Sequence, residues 1–215
     1  CALTPFEAFC GFRPIEATTS LLGAIGVGEL SRVIGEHGLD GALERLFHGD
    51  LDAATVVAAC ADSPMPEAIW VRKLAATYPG DPSVAATLLL NRVVLEPGDA
   101  IRLDAGTLHA YLHGAGIELM APSDNVVRGG LTAKPVDVEL LLDVVDTDPT
   151  VDPVLHAERR YDLPAADVAL VRLDPGETHD ATGHELAVDL RGNTWYCAPG
   201  DQLIAGEVTY VVVPG

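Results

Sequence analysis

The spacing of apolar positions changes twice along the chain and divides it into regions of different structure. Residues 1–14, CALTPFEAFCGFRP, set aromatic and aliphatic positions among polar ones, with prolines near both ends. That pattern predicts a strand or two, stopped by Pro14. From Ile15 to about Leu90 apolar residues recur every three or four positions, as in Leu39, Leu43, Leu46 and Phe47, with Glu44 and Arg45 facing outward. This is the period of a helix with one buried face. Ser63-Pro64 and Tyr78-Pro79-Gly80-Asp81-Pro82 punctuate the helices, and Asp81 and Ser83 are the caps expected for a helix over 83–90.

After Asn91 the short runs Val93-Val94-Leu95 and Ile117-Glu118-Leu119 predict strands, separated by turns at Pro97-Gly98-Asp99 and His113-Gly114. Residues 136–146 predict one more helix, and a connector rich in Pro and Asp runs from Asp146 to Pro153. A second β region follows. In it Leu173-Asp174-Pro175-Gly176-Glu177 repeats the pattern of Leu95-Glu96-Pro97-Gly98-Asp99, and a third Pro-Gly-Asp stands at 199–201. Short strands with such turns suggest a sandwich or small barrel. The expected fold class is α+β: a partial β-barrel interrupted by a helical insertion, then a small C-terminal β domain.

Composition narrows the function classes. The 215 residues are 48% hydrophobic and 21% charged, a globular mixture. The formal charge of −19 repels phosphate backbones and anionic membranes at long range, so neither nucleic acid nor a membrane is an expected partner. An anionic small substrate would need a few basic side chains to make a local positive site. No apolar run approaches the roughly 20 residues that span a bilayer. Cys1, Cys10, Cys60 and Cys197 form no CxxC pair and no compact disulfide framework, so free thiols in a reducing cytoplasm are expected.

Candidate chemistry concentrates in residues 97–134. Gly98, Gly106 and His109 have the spacing of the second cupin motif, G-x5-P-x-G-x2-H, with Asp104 in place of the proline. A glycine turn there feeds a strand whose first inward side chain is an imidazole, well placed for a divalent metal. Taken singly, the other residues have ordinary readings as well. Arg128 before Gly129-Gly130 suits a surface turn, Glu118 a solvated strand face, Asp124 an Asx turn, and Lys134 a solvated loop. His113 reads as structural or exposed, and a metal at His179 and His184 is less expected still.

The longer stretch LHAYLHGAGIELMAPSDNVVRGGLTAK at 108–134 resembles the signature of the type I mannose-6-phosphate isomerases. ALTPFEAFCGFRP at 2–14 and YPGDPSV at 78–84 resemble two further segments of the same family, in the same order. The resemblance implies a zinc-dependent aldose–ketose isomerase acting on a sugar phosphate through a cis-enediol. It implies His109 as a metal ligand, Arg128 and Glu118 as catalytic, and Tyr111, Asp124 and Lys134 as substrate-binding. It also implies that residues 1–14 and 91–150 are parts of one catalytic cupin barrel, 15–90 the helical insertion and 151–215 a C-terminal β domain. In that family the other zinc ligands, in Gln-x-His and His-Lys-Pro-Glu segments, precede the segment that begins here at Ala2. A C-terminal fragment is therefore expected, monomeric, and unable to hold zinc or turn over substrate alone. The alternatives are a non-catalytic sugar-binding or regulatory cupin, and another metal-dependent cupin enzyme. The latter needs a second histidine cluster, and the chain before His109 offers only His37 and His48.

Overall fold

A computed structural model describes residues 1–123 and 125–215. Strand β1, Phe6–Phe12, is followed by five helices: α1 (Ile15–Ile25), α2 (Gly28–His48, bent at Gly38), α3 (Ala53–Ala59), α4 (Pro66–Thr77) and α5 (Pro82–Ala86). Strands β2 (Leu90–Leu95), β3 (Ala100–Ile101) and β4 (His109–His113) come next, then helix α6 (Val138–Val144) and strand β5 (Val154–Leu155). The C-terminal strands are β6 (Arg160–Leu163), β7 (Val168–Leu173), β8 (Thr178–Asp180), β9 (Glu185–Asp189), β10 (Thr194–Cys197), β11 (Gln202–Ile204) and β12 (Thr209–Pro214).

The first sheet has the order β2-β1-β4, with both pairings antiparallel. Its central strand pairs with β2 across the whole helical block, so the helices leave and return to one sheet. Phe9 and Phe12 face the helices and join the largest core with Leu22, Leu30, Leu43 and Leu89. They share that face, although three apart, because a bulge at Gly11 adds a residue and resets the alternation. Gly11 has φ +63°, and a Cβ there would lie 2.3 Å from Thr150 Oγ1. Asn91 donates from its side-chain amide to the carbonyls of Phe12 (3.1 Å) and Thr150 (3.0 Å), tying the end of β1 to the segment around Thr150. On the opposite face Ala8 and Cys10 pack with Ala2, Val93 and Leu95 in a smaller apolar cluster. There burial pushes the Cys10 thiol up to about 11.

Charge ties the helical block to the sheet. Glu67, in the first turn of α4, sits 3.3 Å from Arg13 and 3.8 Å from Arg92. Arg92 also meets Glu7 at 3.5 Å, and Trp70 donates its indole N–H to Glu7 at 2.5 Å. Arg13 is 8% exposed, so its guanidinium depends on Glu67 and the Leu88 carbonyl for its partners.

The C-terminal strands form a five-stranded sheet, β10-β9-β12-β7-β6, and a two-stranded ribbon, β11-β8, around Ala169, Ala187, Val211 and Val213. The Pro97-Gly98-Asp99 turn docks on this sheet. Tyr161 donates its hydroxyl to the Gly98 carbonyl, and Ala157 N–H donates to Asp99 at 3.1 Å. The expected α+β class is the one observed, and among the described residues no sheet closes into a barrel. Among them, too, no helix is long and apolar enough to cross a membrane.

Two local expectations are corrected. The helix expected over 83–90 ends at Ala86, passes through a single 3-10 turn at Thr87–Leu89, and becomes strand at Leu90. Pairing with Phe12 takes Leu90 into the sheet. Ile117-Glu118-Leu119 is not a strand. Gly116 forms one bridge with Ala2, Ile117 N–H donates to the Cys1 carbonyl, and the ladder stops.

Replacing Glu67 with Ala should lower unfolding free energy by about 2–4 kcal/mol, because two largely buried guanidinium groups lose their shared carboxylate. Urea titration followed by circular dichroism measures this; an unchanged midpoint would show the network to be energetically idle.

Candidate active site

Strand β4 places its side chains by its register on β1. His109 lies opposite Cys10 and Tyr111 opposite Ala8, so both project on the face away from the helices. Leu108 and Leu112, on the alternate positions, pack toward the helical core. The turn before the strand needs Gly106, with φ +82°, since a Cβ there would come within 2.7 Å of the Val144 carbonyl at the end of α6.

His109 is exposed, and its Nδ1 is 2.8 Å from the Thr107 carbonyl. A carbonyl only accepts, so Nδ1 carries a proton, and in the neutral ring Nε2 holds the lone pair. This is the tautomer that can ligate a metal or take a proton. Tyr111 follows on the same face, its ring centroid 5.7 Å from the imidazole. Its hydroxyl donates to Glu118 Oε1 at 2.6 Å, and Phe6 packs edge-on at 5.6 Å. The phenol is held above the ordinary tyrosine range, first by desolvation and then by the hydrogen bond to Glu118 and its negative charge. The structure thus joins His109, Tyr111 and Glu118 into one set.

Arg128 is exposed on a loop without regular secondary structure. The glycines after it border a small cleft shared with His109, Leu108, Ser83 and Leu131. A Cβ on Gly129 would lie 2.4 Å from a Leu108 methyl, which shows how closely the loop approaches the strand. Lys134 is exposed farther along the same segment, and its backbone N–H donates to Thr132 Oγ1 at 3.2 Å. Asp124 lies outside the described residues. His179 and His184 are engaged elsewhere: His179 with buried Glu185 at 2.5 Å, His184 with the Tyr196 hydroxyl.

Zinc can be tested against these groups. His109 fits as one ligand, in the correct tautomer, but zinc sites in proteins use three or four protein ligands. Among the described residues no group of three or more His, Cys, Asp or Glu is placed to hold a metal ion. Sequence reasoning missed Thr107, which fixes the imidazole, and gave Asp81 and Ser83 only a capping role. Asp81 does cap α5, and it also accepts from Leu131 N–H at 2.9 Å. A carboxylate with two oxygens in a turn was the available signal.

Spectrophotometric pH titration should find the Tyr111 phenol ionising above the ordinary tyrosine range. Glu118→Gln should move it back toward that range while the desolvation contribution stays. Ionisation of Tyr111 in the ordinary range in the unsubstituted protein would contradict the pairing.

No family model matches the chain. The mannose-6-phosphate isomerase of Salmonella typhimurium is 33% identical over 234 aligned residues, covering 100% of this chain and 58% of that protein. The mannose-6-phosphate isomerase of Rattus norvegicus is 31% identical over 219, covering 81% and 51%. The chain thus spans about half the length of the curated relatives it matches. A crystal structure of mannose 6-phosphate isomerase bound with zinc and yttrium superposes with a TM-score of 0.79 at 25% identity, over 99% of this chain and 65% of that one. The Salmonella typhimurium enzyme bound to substrate F6P and zinc gives 0.74 at 25% identity, over 99% and 64%. With the fold, the ordered sequence matches and the His109 strand in agreement, the chain belongs to the type I mannose-6-phosphate isomerase family.

Proposed function

We propose that this chain carries the sugar-phosphate half of a zinc-dependent isomerase that interconverts mannose 6-phosphate and fructose 6-phosphate. The observation that carries the proposal is His109, with Nδ1 bonded to Thr107 so that Nε2 is the nitrogen a metal would take, beside the Tyr111–Glu118 pair. The solved relative with F6P and zinc supports both the substrate class and the metal. Residues 1–14 and 91–150 then belong to the catalytic half-barrel, 15–90 to its helical insertion and 151–215 to the C-terminal β domain.

The reaction moves a proton between C1 and C2 of the open-chain sugar and develops negative charge on the enediol oxygens. On this reading Glu118 holds or returns the migrating proton, with Tyr111 fixing the orientation of its carboxylate. Arg128 stabilises the oxyanion, where a guanidinium placed in advance is most effective. Arg128 and Lys134 give the phosphate a local cationic site within a protein of net charge −19, and Asp124 meets sugar hydroxyls. Zinc, when bound, supplies Lewis-acid polarisation. His109 would be one of its ligands, with the others coming from outside these 215 residues. A non-catalytic sugar-binding cupin is the second reading, and the lack of a three-ligand cluster among the described residues favours it.

The isolated 215-residue chain should bind no stoichiometric zinc and show no turnover. A chimera in which it replaces the matching part of the Salmonella typhimurium enzyme should hold zinc and isomerise mannose 6-phosphate. There Arg128→Ala should cost about 100-fold or more in kcat, as removal of an oxyanion-stabilising group does. Turnover by the isolated chain would refute the need for outside ligands. A folded, zinc-loaded chimera that binds fructose 6-phosphate without converting it would favour the second reading.

A further inference from the structure

Arg128 acts, on the reading above, from a loop with no regular structure, so its position has to be set from outside the loop. We propose that Asp81 and Ser83 are positioning residues that lock the Arg128–Leu131 loop against the His109 strand. This role rests on Arg128 being the group that meets the sugar phosphate.

Both oxygens of one carboxylate are in use. Asp81 Oδ1 accepts from Ser83 N–H at 2.9 Å and from the Ser83 hydroxyl at 2.6 Å, which caps α5. Asp81 Oδ2 accepts from Leu131 N–H at 2.9 Å. Ser83 Oγ, its own proton directed at Asp81, accepts from the same Leu131 N–H at 3.0 Å. The helical insertion therefore grips the loop at the residue third after Arg128. That grip holds an uncommon backbone: Gly130 has φ +111° and Leu131, which carries a side chain, φ +50°. The fit is close on both sides. A Cβ on Gly130 would lie 2.2 Å from Ser83 Cβ and Oγ, and one on Gly129 would lie 2.4 Å from a methyl of Leu108, the neighbour of His109. The loop is clamped between the start of α5 and the start of β4. An error of about 1 Å in a catalytic group can cost 100-fold in rate, so such a clamp has functional weight.

Asp81→Asn separates the two uses of the side chain. Its amide oxygen can keep the cap, whereas its NH2 group points a donor at the Leu131 donor. The experiment is NMR on the 215-residue chain, reading Leu131 amide exchange, the contact of Gly129 with the Leu108 methyls, and the Arg128 side-chain resonance during titration with fructose 6-phosphate. Asp52→Ala, which removes only the cap of α3, is the control for a purely structural effect. The proposal expects Asp81→Asn, and more strongly Asp81→Asn with Ser83→Ala, to speed Leu131 exchange about tenfold or more. It also expects loss of the Gly129–Leu108 contact and a several-fold weaker Arg128 response, with Asp52→Ala changing neither. Unchanged Leu131 exchange and loop contact would overturn the clamp. A lost clamp with an undiminished Arg128 response would overturn the positioning role and leave the isomerase reading standing. No Arg128 response in the unsubstituted chain would sink that reading, and the positioning role with it.

Discussion

The site depends on the register of β4 against β1. Cys10 opposite His109, and Ala8 opposite Tyr111, put the imidazole and the phenol on the face lined by small apolar residues. A slip of one residue would turn both toward the helical core and bring Leu108 and Leu112 out. Burial of those leucines against the helices resists the slip. Apolar packing on one face of β4 thus determines which side chains the other face presents.

The other pairing of β1, with β2, explains how a helical block can sit in the middle of a sheet protein without disrupting it. β1 and β2 hydrogen-bond to each other across the insertion, and Phe9 and Phe12 supply the surface on which its helices pack. The bulge at Gly11 keeps those two phenylalanines on one face, and the amide of Asn91 donates to the Phe12 carbonyl beside it. The Arg13–Glu67–Arg92–Glu7 network then sets the orientation of α4 on the sheet. Each charge in it is partly desolvated, so the network is worth more for orientation than for net stability.

The insertion also reaches the site. Its last helix, α5, is only five residues long, yet its cap residue Asp81 touches the Arg128 loop. Sheet, insertion and loop meet around one small cleft, which His109 borders from the strand and Ser83 from the helix.

Much of this was legible in the sequence. The helical period from Ile15, the strand ending before Pro14, the Pro-Gly-acidic turns and the cap at Asp81 are local signals, set by side-chain spacing and backbone preference. The stretch around His109 also marked the candidate site. Other features were not legible, because they depend on partners distant in the chain. Leu90 reads as helix and becomes strand by pairing with Phe12, whereas Ile117–Leu119 reads as strand and finds no ladder beyond Ala2. Glu118 alternates between apolar neighbours like a solvated side chain, and only the fold brings the Tyr111 hydroxyl within 2.6 Å of it. The sequence by itself determined which segments could be helix or strand and which residue types the candidate site could contain, since those follow from local spacing and chemistry. Tertiary structure alone decided the face His109 occupies and the grip of Asp81 on the Arg128 loop, since each is a contact between segments that only folding brings together.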